Sequence, residues 1–197
     1  MRIPCANFLP SWTGRNLEVP PSSAHQSWFH RMTTSALSTT GSGKRGSILS
    51  LVGWLALCFG AAAFGGLFMP GEWYAQLRKP SWNPPSWVFG PVWTALYTMM
   101  AVAAWLIWRR GGFKAQRVAL SLFLLQLLFN ALWSPLFFGL HNPGLAFVDI
   151  VLLWLALLAT LLAFARTSVL AGSLLMPYLA WVTFASALNW TLWRLNS

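Results

Sequence analysis

Fourteen tryptophans stand in a chain of 197 residues. Each offers a flat, polarisable, electron-rich face and a single N–H donor, so their positions decide what chemistry is open to them. Trp87, Trp105, Trp108, Trp190 and Trp193 fall at the ends of long apolar runs, where an indole suits a membrane–water interface. Trp93, Trp133, Trp154 and Trp181 lie deeper. Trp154 reads as ordinary packing, whereas the other three keep polar company at helical spacing. Trp93, Tyr97 and Met100 are spaced i, i+4, i+7, and Gln126, Asn130 and Trp133 repeat that spacing. Pro177, Trp181, Ala185 and Leu188 share one face, with Tyr178 beside it. An amide in hydrocarbon is costly without a partner, so Gln126 and Asn130 must face inward. Two uses stay open for them: lining an internal pocket, or bonding across helices as structural glue. Aromatic faces beside a few polar groups suit a planar, apolar ligand with polar edges.

Asp149 is the one acid inside an apolar run. It lies about 7 Å along a helix from the start of its run, by the helical rise. An intramembrane carboxylate is a functional candidate by default. Its nearness to an interface favours a structural role instead, capping a neighbouring helix or pairing with a basic residue of the loop at 69–86. Conventional catalysis has little to work with. Cys5 and Cys58 sit in unlike contexts, and His25, His30 and His141 lack ligand spacing. No metal site, hydrolytic triad, paired carboxylates or phosphate loop is visible.

The elements that must position these residues are membrane helices. The chain is 57% hydrophobic and 8% charged, against about 25% charged for a soluble domain. Five apolar runs, 48–68, 87–108, 118–139, 145–165 and 169–193, each match a ~30 Å hydrocarbon core at ~1.5 Å per residue. Backbone groups in lipid must be satisfied within the segment, which requires helices. The fold class is therefore an all-α membrane protein, a bundle of five transmembrane helices occupying 47–197. The loop at 69–86 is long, with four prolines and Trp73, Tyr74 and Trp82. Gly111-Gly112 ends the second span, and Asn142-Pro143-Gly144 reads as the turn before the fourth. Small residues of the first span at Ala56/Gly60, Ala61/Gly65 and Ala62/Gly66 permit close helix approach.

Residues 1–46 form a separate Ser-, Thr-, Pro- and Arg-rich segment. They read as a disordered extension, or as sequence upstream of a true start at Met32; a transit sequence is the third reading. The net charge of +10 does not imply nucleic acid, because Lys and Arg punctuate the ends of apolar runs rather than form one stripe. Their asymmetry sets orientation. Lys44, Arg45, Arg109, Arg110, Lys114, Arg117 and Arg166 lie on the N-terminal side, and Arg78, Lys79 and Arg194 on the other. The N-terminus is expected in the cytoplasm, with the 69–86 loop and the C-terminus opposite.

The segments WYAQLRKPSWNPPSWVFGPVWTALY (73–97), QLLFNALWSPLFFG (126–139), AFVD (146–149) and PYLAWVTFASALNW (177–190) resemble the tryptophan-rich sensory protein / translocator protein family, also called the peripheral benzodiazepine receptor family. The resemblance implies a five-helix bundle, often a homodimer, that needs no cofactor and takes tetrapyrroles such as protoporphyrin IX and haem, sterols and benzodiazepine-like drugs as ligands. On matching positions, Trp93, Asn130, Trp133, Trp181 and Ala185 belong to the pocket, and Trp73 and Trp82 cover its mouth. Tyr97, Gln126, Tyr178 and Leu188 join them as candidate ligand contacts. Some bacterial members degrade porphyrin in light, and the tryptophans implicated match Trp93 and Trp181. Two positions depart from the animal pattern. The sterol-recognition motif keeps Leu188 and Arg194 but has Trp190 for its Tyr, which weakens the expectation of sterol binding. Leu145 replaces a Trp, which loosens drug affinity.

Three functions are compatible with this reading: a tetrapyrrole receptor, sensor or transporter; a light-dependent porphyrin-degrading enzyme; and a membrane scaffold whose aromatics only pack. The membrane is expected to be a bacterial inner membrane, or failing that a mitochondrial outer one. A reporter fused after Ser197 should read out on the non-cytoplasmic side; a cytoplasmic signal would mean an even number of spans.

Overall fold

The structure, a computed structural model, describes residues 47–197. The expectations for residues 1–46 and for Met32 lie outside the described residues. Eight helical elements follow one another: α1 (Ser47–Gly66), α2 (Glu72–Gln76), α3 (Ser86–Trp108), α4 (Gly112–Ala115), α5 (Arg117–Ser134), α6 (Pro143–Thr167), α7 (Val169–Ser173) and α8 (Met176–Asn196). Five helical stretches are long and apolar enough to cross a membrane: α1, α3, α5 with its extension to Gly139, α6, and α7 with α8. The fold class and the span limits agree with the sequence reading.

Local chemistry explains most element ends. Gly111 and Gly112 adopt φ of 110° and 61°, left-handed conformations that glycine takes without steric cost, and they turn the chain out of α3. Asn142 caps α6 by accepting a 2.9 Å hydrogen bond from the Leu145 N–H, with Pro143 at the first helical position. The turn expected at 142–144 is therefore shorter. Pro143 and Gly144 already belong to the helix, because a proline at its first position forfeits no helical hydrogen bond.

Two irregularities were not expected, and each occurs at a proline. The fifth span breaks into α7 and α8 around Leu174–Leu175, with Pro177 in the first turn of α8. The helix restarts there because Pro177 has no N–H to continue the ladder. The third span ends in a π-helical turn, Pro135–Gly139, closed by a 2.8 Å bond from the Leu140 N–H to the Pro135 carbonyl. The missing Pro135 donor disfavours a regular α-turn, and the wider turn re-aims Phe137 and Phe138.

The packing is built around α6, which lies against α5, α7 and α8. Helix α1 docks through Trp54, whose ring meets Trp108 at 5.9 Å and Phe123 at 5.5 Å, both edge-on. The Trp105 Nε1 also donates to the Ser47 carbonyl at 2.8 Å. Leu124, Leu128, Leu152, Leu155 and Leu162 are exposed on the outer faces, as helices bathed in hydrocarbon require. Among the glycines of α1, only Gly65 meets another helix closely: a Cβ there would lie 3.4 Å from Ser134 Oγ, whereas Gly53, Gly60 and Gly66 have nothing within 4 Å.

The tightest backbone approach is between α6 and α7. A Cβ on Gly172 would stand 2.7 Å from Ala165 Cβ and 2.8 Å from its Cα. Backbone cannot move aside as a flexible side chain can, so Gly172→Ala should destabilise the bundle by about 1–3 kcal/mol. Gly53→Ala, with nothing within 4 Å, should change stability by less than about 0.5 kcal/mol. Denaturation of both variants in detergent checks the contrast, and equal stability would show that α7 is free to swing away.

Candidate functional site

A cavity of about 990 Å³ lies between α1, α3, α5, α6 and α8, with the loop containing α2 at one end. Its walls are aromatic. Trp93 comes from α3, Trp133 from α5 and Trp181 from α8, and Phe89, Phe137 and Phe138 fill the spaces between them. Of the residues singled out from sequence, Trp93, Tyr97, Asn130, Trp133, Trp181, Ala185 and Leu188 all line this one cavity.

Four others do not reach it. Gln126 is fully buried one turn from Asn130, faces the Met100 sulfur at 3.9 Å, and leaves its Oε1 without a partner. Tyr178 is fully buried behind the wall. A helical stripe is wide enough to hold both cavity lining and the core behind it, so spacing alone groups these residues together. Trp73 and Trp82 are not among the residues that line the cavity. Trp73 stacks on His141 at 4.5 Å and meets Phe137 edge-on at 5.7 Å, and Trp82 packs against Phe184 at 5.8 Å with 46% of its surface exposed. Both pin the loop to the bundle, and the loop residues that reach the cavity include Tyr74, Lys79 and Asn83 to Pro85.

The polar groups form two clamps. The Tyr97 hydroxyl donates to Asn130 Oδ1 at 2.5 Å, and Asn130 Nδ2 donates to the Tyr178 hydroxyl at 2.7 Å. One amide thus ties α3, α5 and α8 together. Trp93 lies on this clamp, 5.4 Å from Tyr97 and edge-on to Tyr178 at 6.2 Å. The second clamp uses Asn189, whose Oδ1 accepts from Trp133 Nε1 at 2.9 Å while its Nδ2 donates to the Pro143 carbonyl at 2.8 Å. It joins α5, α8 and α6. Sequence reasoning passed over Asn189, although the rule that exposed Gln126 and Asn130 applies equally to it: an amide inside a span must have partners.

Asp149 corrects an expectation. It is buried, its Oδ2 has no hydrogen-bond partner, and no cap or ion pair with the loop forms among the described residues. The loop cation Lys79 turns instead to the Ala75 and Leu77 carbonyls, at 3.1 and 3.3 Å. Trp154, read as packing, is half-buried and donates to Thr183 Oγ1 at 2.9 Å.

This architecture can be set beside known proteins. The sequence profile of the TspO/MBR family matches residues 54–194, which span all five membrane helices and every cavity residue named above. The chain belongs to the TspO/MBR family. It is 47% identical over 153 residues to the tryptophan-rich protein TspO of Chlorobaculum tepidum, covering 76% of this chain and 97% of that one. It is 47% identical over 137 residues to the human translocator protein, covering 67% and 81%. It is 43% identical over 143 residues to the tryptophan-rich sensory protein of Cereibacter sphaeroides, covering 73% and 89%. Five spans and TspO/MBR membership together make the protein an integral, multi-pass membrane protein.

The Asn130 clamp yields a test. Asn130→Leu would leave two phenols unpartnered in a buried site, a loss of about 1–2 kcal/mol. Removing the hydroxyls as well, by Tyr97→Phe and Tyr178→Phe, should recover part of that loss, since no polar group is then stranded. Unfolding of the single and triple variants checks this, and strict additivity would show that the three residues do not act as a unit.

Proposed function

We propose that this TspO/MBR protein is a membrane receptor or transporter for tetrapyrroles, of which protoporphyrin IX and haem are the expected examples. The observation that carries the reading is the cavity. At about 990 Å³ it is at the upper end of ligand sites, which run from about 300 to 1,000 Å³. Three indoles from separate helices and two tyrosines line it, among mainly apolar neighbours. That lining suits a broad, flat, apolar molecule. A protein whose aromatics served packing alone would fill this volume with side chains. The relatives' names, translocator protein and sensory protein, favour transport or sensing over a scaffold. A homodimer in a bacterial inner membrane, with the N-terminus in the cytoplasm, is the assembly that goes with this reading.

A second reading, light-driven degradation, is favoured by one specific arrangement: Trp93 and Trp181 line the same cavity from two different helices. An indole can give an electron to a photo-excited porphyrin held against it, with dioxygen as the terminal oxidant.

Titration with protoporphyrin IX separates the readings. Quenching of tryptophan fluorescence in the dark should report saturable binding, and a scaffold would show none. Under illumination, bleaching of the porphyrin absorption would add degradation to binding. Trp93→Phe and Trp181→Phe keep a flat apolar face but are much harder to oxidise. They should retain affinity within about tenfold, or 1.4 kcal/mol, and lose bleaching. Bleaching at the parent rate in both variants would reduce these tryptophans to a binding surface.

A further inference from the structure

Among the residues that line the cavity, Lys79 is the one that carries a charge. Its position is fixed on both sides. The preceding residue, Arg78, is clamped to the end of α8: its N–H donates to Asn196 Oδ1 at 2.9 Å, and its carbonyl accepts from Asn196 Nδ2 at 3.0 Å. The ammonium itself lies over the Tyr74 ring at 4.7 Å and bonds to the Ala75 and Leu77 carbonyls. These partners are neutral. They satisfy two of the three Nζ donors and leave the charge uncompensated. No Asp or Glu lines the cavity. Four residues on, Asn83 Oδ1 is buried at the same end of the cavity without a partner. Among the described residues this end therefore holds a cation without an anion and a buried acceptor without a donor within hydrogen-bond geometry. A carboxylate with one bound water would supply both.

The rest of the cavity is mainly apolar, and its polar side chains include Asn130 and Asn189, which are already bonded in the two clamps. Gly66 of α1 and Gly90 and Thr94 of α3 line it and are exposed, within spans apolar enough to lie in a membrane. An amphiphile dissolved in the membrane keeps its charged head at the interface and its body in the hydrocarbon. The cavity offers that same division, with Lys79 at the loop end and the aromatic walls deeper.

We propose that Lys79 recognises the carboxylate of a flat amphiphilic acid whose apolar body lies between Trp93, Trp133 and Trp181. The proposal rests on the reading of the cavity as a ligand pocket, and it adds which end of the ligand points where and which chemical group is selected. The plainer role for Lys79, closing the end of α2 through the two carbonyls, predicts no dependence on the ligand's charge.

The test uses the full chain in phosphatidylcholine nanodiscs and two probes, protoporphyrin IX, which carries two carboxylates, and its dimethyl ester, which carries none. Parent, Lys79→Gln and Lys79→Arg proteins are titrated with each by tryptophan quenching. Lys79→Gln should weaken the diacid about five- to tenfold, the scale of a half-buried ion pair. It should leave the ester unchanged, and Lys79→Arg should stay near the parent. An equal fall for both probes would assign Lys79 to the shape of the loop and overturn the proposal, as would an unchanged affinity for the diacid. Failure of both probes to bind the parent would overturn the pocket reading itself, and this inference with it. Repeating the titration in phosphatidylglycerol nanodiscs distinguishes the two sources of an anionic head. Persistence of the Lys79 effect supports the acid, whereas its disappearance would mean that a lipid headgroup holds Lys79.

Discussion

A polar group inside a bilayer has no water to turn to, and that constraint organises this molecule. Asn130 lies well inside the third span, where an unpartnered amide would cost several kilocalories per mole. Its two ends are answered by the hydroxyls of Tyr97 and Tyr178 from two other helices. Hydrophobic burial cannot drive helices together in lipid, because the tails are as apolar as leucine; packing and interhelical bonds must do it. The amide therefore does what a soluble core would do by excluding water: it sets the spacing of α3, α5 and α8. It also fixes the two phenol rings, and Trp93 rests on both of them. The shape of the cavity wall is thus a consequence of satisfying one side chain.

Asn189 repeats the logic closer to the loop. By holding Trp133 Nε1 and the Pro143 carbonyl together, it gives an indole on the cavity wall a fixed orientation and ties the start of α6 to α8. The stacked pair Trp133 and Phe137, with centroids 4.9 Å apart, continues that wall onto the π-helical turn. With their polar ends tied, the aromatic walls stay apart and do not collapse into the space between them.

Most of the fold was legible because the bilayer leaves few alternatives. Length and apolarity fix the spans, and helical spacing finds the faces of Trp93 and Tyr97, Asn130 and Trp133, and Trp181, Ala185 and Leu188. What spacing cannot do is separate the wall of a cavity from the layer behind it. Gln126 and Tyr178 share stripes with lining residues yet lie beneath them. The two proline effects were also invisible, since Pro135 and Pro177 can each end, kink or widen a helix, and the outcome depends on what the neighbouring helices accept. Trp73 and Trp82 carry an interfacial composition that fits a lid and an anchor equally well. Their contacts with Phe137, His141 and Phe184 tie the loop to the bundle. Asp149, for which composition offered several partners, has an Oδ2 with none among the described residues.

The anchored loop explains a division of labour between the helices and their connection. A charged side chain is expensive at the centre of a membrane, and long Lys side chains near an interface keep their heads there. The helices can therefore supply shape and aromatic surface but scarcely a charge, so a cavity in this bundle has to take its charge from a loop at its mouth. For that loop to discriminate between ligands it must hold still, because ordering a mobile segment on binding consumes affinity. Three independent ties meet the requirement: the paired bonds between Arg78 and Asn196, the Trp73 stack on His141 and the Trp82 contact with Phe184. The prolines at 80, 84 and 85 restrict what remains. Selectivity in such a bundle can then change by substitution in the loop without disturbing the helix packing, whereas a change of wall aromatics alters the clamps and the fold together.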